Sequence, residues 1–135
     1  MVARLTGEGL SLGVITRDHE AMMSFYGDVL ALPHLETLAT PRGTIEFFGV
    51  GSSTLKLVRY PVTPSARPPS GEPGAATGLR YFTIRISNLD EVLANCESVG
   101  VIVLWGKRRK PGGDGWLGMV MDPDGNMLEL LQNDV

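Results

Sequence analysis

The sequence predicts an α+β chain in which a βαβββ module occurs twice in tandem, the two forming a curved mixed sheet with a cleft. Three observations carry this. A proline-rich stretch divides the chain, apolar residues on either side of it repeat with the same strand and helix periods, and Asp122-Pro123-Asp124-Gly125 reads as a tight turn between two apolar runs. Shifting the first half by 70 positions superposes Val14 on Ile84, Thr16 on Ile86, Asp18 on Asn88, Met22 on Val92 and Val29 on Val99. One helix cannot cover both faces of a four-stranded sheet, so two such modules are expected to pair within the single domain 1–135.

The first module spans residues 8–60. Residues 10–16 read as a strand, and residues 18–29 as a helix, because Ala21, Met22, Phe25 and Val29 form one stripe. Strands follow at 34–40, 44–50 and 53–60. Residues 60–78 then hold five of the nine prolines, which rules out a sustained helix or central strand there and predicts an extended, partly mobile linker over 61–78.

The second module spans 79–133. It opens with a strand at 79–86, and Asn88-Leu89-Asp90-Glu91 resembles a capping box. Leu89, Val92, Leu93 and Cys96 stand at helical spacing, and Gly100 ends the helix. Further strands fall near 101–105, 116–122 and 127–132. In the last of them Leu128 and Leu130 point to one face while Met127, Glu129 and Leu131 share the other, so Glu129 is either exposed or in a pocket with a role. Residues 106–115 carry Lys107, Arg108, Arg109 and Lys110 and are bracketed by Trp105 and Trp116. They are expected either to form a mobile flap that recruits an acidic ligand, or a solvated basic turn.

Bulk properties narrow the function classes. With 135 residues, 43% hydrophobic content and a net charge of −3, the chain has material for one substantial core and no polyanion-binding surface, so no nucleic-acid partner is expected. The single cysteine, Cys96, excludes an intramolecular disulfide and, on the apolar helix stripe, reads as a buried inert thiol. No apolar run approaches the roughly 18 residues of a membrane span and no signal-peptide pattern opens the sequence. No membrane partner and a cytoplasmic location are therefore expected.

Two stretches carry a family resemblance. Residues 119–131, with Asp122-Pro123-Asp124-Gly125-Asn126 before an apolar-Glu-apolar strand, and residues 12–33, ending Phe25-Tyr26-Gly27-Asp28-Val29-Leu30-Ala31-Leu32-Pro33, resemble the glyoxalase / bleomycin-resistance / extradiol-dioxygenase superfamily, the vicinal oxygen chelate fold. Ala31 stands where glycine is usual. The resemblance implies a glyoxalase-like fold, a small-molecule ligand and a homodimer, the last also suggested by the exposed strand edges of two small modules. It further implies that the positions from which metal-using members take ligands fall on Ser11, Lys56, Tyr81 and Glu129. Only Glu129 is a donor of the expected kind, and His19 and His34 lie on different elements, so no metal and no other cofactor is expected.

By the same correspondence Lys56 and Glu129 are expected to meet across the cleft and, with Tyr81, to form a catalytic set. The ammonium would stabilise an enolate, the carboxylate would move a proton, and Tyr81 would act as acid or hydrogen-bond a carbonyl. The competing account is a structural ion pair. Ser11, Thr83, Arg85, Phe48, Trp116 and Arg109 are the expected substrate-binding residues, with Glu46 a carboxylate on the rim and the strand phase around Glu46, Phe47 and Phe48 open by one residue. The expected function is a metal-independent isomerase or lyase acting on a small carbonyl, phenolic or polyketide-like molecule. A non-catalytic drug-binding resistance or carrier protein is the alternative, and a metal-dependent lyase or dioxygenase the third option.

Overall fold

The computed structural model describes residues 2–134. Two compact units, Met1–Pro64 and Ser65–Val135, each carry one helix and one four-stranded mixed sheet.

In the first unit β1 (Ser11–Ile15) leads to α1 (His19–Ser24), which widens into a π-helical turn (Phe25–Val29), and then to β2 (His34–Thr40), β3 (Gly43–Val50) and β4 (Ser53–Arg59). The sheet order is β1-β4-β3-β2, with β1 parallel to β4 and the other pairs antiparallel. The Asp18 side chain caps α1 by accepting from the Ala21 N–H at 3.1 Å. Phe48, Leu55 and Leu57 share one sheet face and are buried, as are Met22, Phe25 and Tyr26 of the helical run. Tyr26 and Phe48, 6.4 Å apart between ring centroids, tie the helix to that face.

The helical run reaches Val29 as the sequence predicts, but its last turn is π rather than α, and Ala31 beyond it holds φ at +55°. This left-handed conformation is the reason glycine suits the position. Ala31→Gly is expected to raise stability by about 0.5 to 1 kcal/mol, because relief of the steric penalty exceeds the added unfolded-state freedom. A melting temperature unchanged or lowered in the variant would contradict this.

The second unit has β5 (Tyr81–Arg85), α2 (Leu89–Ser98), β6 (Ile102–Arg109), β7 (Gly115–Met121) and β8 (Met127–Asn133), ordered β5-β8-β7-β6. This repeats the topology of the first sheet. Leu89, Leu93 and Cys96 of α2 are buried, and a Cβ on Gly118 of β7 would lie 3.1 Å from Leu93, so glycine permits a close helix-to-sheet approach. Burial, and secondarily the charge of Glu97, push the Cys96 thiol up. The capping box forms differently from the expectation. Asn88 donates to the Glu91 carboxylate at 3.1 Å, and the Leu89 N–H is satisfied by the Gln132 side-chain carbonyl at 2.7 Å.

The structure adds detail to the linker and corrects the basic segment. The proline-rich segment contains a short 3-10 turn (Pro73–Ala75), and the Arg80 guanidinium gathers it by donating to the carbonyls of Pro73 at 3.0 Å, Ala76 at 3.1 Å and Pro69 at 3.4 Å. The basic segment after Trp105 is not a loop: Lys107, Arg108 and Arg109 belong to β6, and only the turn 110–114 separates it from β7. Indole faces hold these cations in place. Arg108 stacks 4.6 Å above Trp105, while Arg109 and Lys107 lie 4.1 Å and 4.6 Å above Trp116.

The turn before β8 is organised by Asp122, only 3% exposed, whose carboxylate accepts from the Asp124 and Asn126 N–H groups at 3.0 and 2.9 Å and from the Asn126 side-chain amide. Gly125, with φ at +93°, closes it. Asp122→Asn turns one acceptor into a donor facing another amide and is expected to lower stability by about 1 to 2 kcal/mol. Denaturant unfolding at wild-type midpoint would contradict that role. Among the described residues no helix is long and apolar enough to cross a membrane.

Candidate functional site

Strand register builds two equivalent stations, one in each sheet. In the first unit Ser11 pairs with Thr54 and Gly13 with Lys56; in the second Tyr81 pairs with Met127 and Thr83 with Glu129. Lys56 and Glu129 thus hold the same place in their own sheets, and each points away from the face that its unit's helix covers. Glu129 is half-buried among buried Met119, Met127 and Leu131, and the Thr83 hydroxyl donates to its Oε1 at 3.0 Å. That bond leaves Oε2 available to a ligand. Tyr81, 50% exposed, and exposed Arg85 share the Glu129 face. Half-buried Lys56 pairs with Phe47 and makes no ion pair within its own unit among the described residues.

Three expected ligand-contacting residues lie elsewhere. Phe48 is on the helix-covered face, opposite to Lys56, and Phe47 takes the place beside it. Trp116 pairs with Gln132, on the α2 side of the second sheet, and Arg109 stacks on it while donating to Asp134 at 2.9 Å. Trp105, paired with Met119, and Arg108, paired with Leu117, stand on the Glu129 face instead. Two register shifts in β6 set the faces of Trp105, Arg108 and Arg109, and Gly106 next to Trp105 is the sequence cue for such a bulge, whereas the face of Trp116 follows from the unbroken pairing of β7 with β8.

A polar cluster in the first unit was not foreseen. Glu46, expected at the rim, is 5% exposed on the Phe48 face of β3. Its carboxylate is bonded by His19 Nε2 at 3.0 Å through Oε2, by His34 Nε2 at 3.0 Å through Oε1, and by the Thr37 hydroxyl, which donates to Oε1. The cluster assembles because α1 begins at His19 beside β3, and a bulge between His34 and Glu36 lets both His34 and Thr37 lie over it. Burial pushes the Glu46 carboxyl up, but the bonds from Thr37, His19 and His34 and the His19 charge outweigh it and hold the group below its ordinary value. An ionised Glu46 accepts only, so each Nε2 carries its hydrogen and Nδ1 is the outward ring nitrogen.

At the four positions that the resemblance implies, the donor chemistry does not fit a divalent metal. Ser11 is a weak ligand, Tyr81 an uncommon one, and the Lys56 ammonium repels a cation, which leaves Glu129 alone. In the Glu46 cluster the two imidazoles take separate carboxylate oxygens, and among the described residues no group of three or more His, Cys, Asp or Glu side chains is arranged to hold an ion.

The sequence profile described as Glyoxalase/Bleomycin resistance protein/Dioxygenase superfamily matches residues 10–130. Among solved structures, the trypanothione-dependent glyoxalase I of Leishmania major is 25% identical over 90% of this chain and 84% of its own, with a TM-score of 0.69. A lactoylglutathione lyase from Agrobacterium tumefaciens is 25% identical over 91% of each chain, with a TM-score of 0.63. A glyoxylase/bleomycin resistance protein/dioxygenase domain from Frankia sp. EAN1pec, 15% identical over 98% of this chain and 93% of its own, has a TM-score of 0.74 and shares the fold. No curated protein matches the sequence.

Proposed function

The chain belongs to the glyoxalase/bleomycin resistance protein/dioxygenase superfamily, and from that premise we propose that it is a metal-independent isomerase or lyase for a small carbonyl or phenolic molecule. The observation that carries this is the Thr83–Glu129 hydrogen bond at 3.0 Å, which fixes a half-buried carboxylate at the family's reactive position with one oxygen free. In the proposed step Glu129 takes the proton from the carbon next to a carbonyl, and the C–H electron pair moves onto the carbonyl oxygen as an enolate. On an α-hydroxyketone the Tyr81 hydroxyl protonates that oxygen and regains a proton from the neighbouring hydroxyl, Arg85 anchors an acidic substituent, and return of the proton from Glu129 to the former carbonyl carbon completes an isomerisation.

A carrier without turnover is the second reading, favoured by the buried, thioether-rich surroundings of Glu129, where Met119 and Met127 give an adaptable apolar surface. Incubating the protein in D2O with a panel of α-hydroxyketones and acylphenols separates the two. Enzyme-dependent deuterium uptake at the carbon next to the carbonyl is expected. Saturable binding without exchange would select the carrier, and neither binding nor exchange would contradict both.

A further inference from the structure

We propose that the first unit carries a second ligand site, on the α1 side of its sheet, that binds a small organic ammonium ion with an attached aromatic or aliphatic group. A pocket of ≈ 600 Å³ opens there between the helical run and the start of β2, a volume within the usual range for small-molecule sites. It lies on the sheet face opposite to Lys56, since it includes Phe48 and not Phe47.

The wall chemistry names the ligand class. Glu20, Ser24 and Asp28 stand at four-residue intervals along the helical run and form one polar edge, and the pocket lining contains no Lys or Arg. Glu20 and Asp28 are both exposed and neither makes a salt bridge among the described residues, so the lining carries two negative charges without a salt-bridged partner. The same lining includes the His34 ring, 40% exposed and backed by Phe48 at 5.2 Å between centroids. The buried Glu46 carboxylate holds His34 by Nε2, so this aromatic wall is fixed rather than free to swing, and its Nδ1 remains as a hydrogen-bonding atom. Met23 adds an apolar surface. The π-helical turn that supplies Gly27 and Asp28 is an independent sign, since such turns are retained at a cost in regularity and gather at functional sites. Two carboxylates beside an aromatic surface suit a protonated amine with an apolar body and repel a carboxylate of the same shape.

The test uses the full chain and three isosteric probes, benzylammonium, benzyl alcohol and benzoate, followed by amide NMR. Benzylammonium is expected to give saturable shifts centred on Ser24, Gly27, Asp28 and His34, with benzyl alcohol at least about fivefold weaker and benzoate weaker still. The exposed pair of changes Glu20→Gln and Asp28→Asn is expected to weaken benzylammonium about tenfold while leaving the spectrum of the folded protein in place. Equal affinity for the three probes, shifts centred on β5 and β8, affinity unchanged in the double variant, or no saturation up to about 10 mM would each overturn the proposal. Because these signals arise on residues distant in sequence from Thr83 and Glu129, the outcome is independent of the deuterium-exchange result.

Discussion

Glu129→Gln is expected to slow proton exchange on the true substrate by at least about a hundredfold, the usual scale for losing a positioned general base. The amide keeps the side-chain volume and still offers an oxygen to the Thr83 hydroxyl, the bond that measures 3.0 Å in the wild type. The fold should therefore survive, with a melting temperature within about 2 °C of wild type. Ligand affinity is expected to change little where the ligand is neutral, since a base acts in the transition state rather than in binding. Loss of binding together with loss of the fold would instead make Glu129 a structural residue.

The second large effect lies on the other side of the first sheet. Glu46→Ala removes a carboxylate that is 5% exposed and strands the donors of His19, His34 and Thr37. A loss of about 3 kcal/mol is expected, or about 10 °C in melting temperature for a chain of this size. The same group imposes a pH signature. The folded-state carboxyl is held below its ordinary value, so the unfolded chain takes up the proton first as pH falls. The stabilisation is therefore fully present above the unfolded value of about 4.3 and fades as pH drops through the lower, folded one. The stability gap between wild type and Glu46→Gln should shrink below about pH 4, and a gap that widens there would contradict the assignment.

The tandem βαβββ order was legible because strand and helix periods, the proline-rich segment and the turn residues are local signals, and each survives into the structure. Glu129 and Lys56 were legible for the same reason, since β8 and β4 keep strict alternation from end to end. Phe48, Trp116 and Arg109 were not. The phases of β3 and β7 needed their partners β4 and β8 to be settled, and β6 changes phase twice through bulges. Each such slip moves a side chain to the opposite face. The Glu46 cluster was hidden for another reason: His19, His34 and Glu46 come from α1, β2 and β3, and only pairing across a bulge brings them together. Ala31 was marked by the sequence as a departure from glycine, but its left-handed backbone became visible only with the helix end in place.

Glu129 is proposed to work on a ligand rather than to serve as the structural partner of Lys56, and thermal unfolding of Lys56→Met, Glu129→Gln and the double variant tests this most directly. A Glu129 that acts on a ligand predicts both single variants within about 0.5 kcal/mol of wild type, with effects that add. Single losses of about 3 kcal/mol or more, largely recovered in the double variant, would show two charges that exist to neutralise each other and would contradict the account.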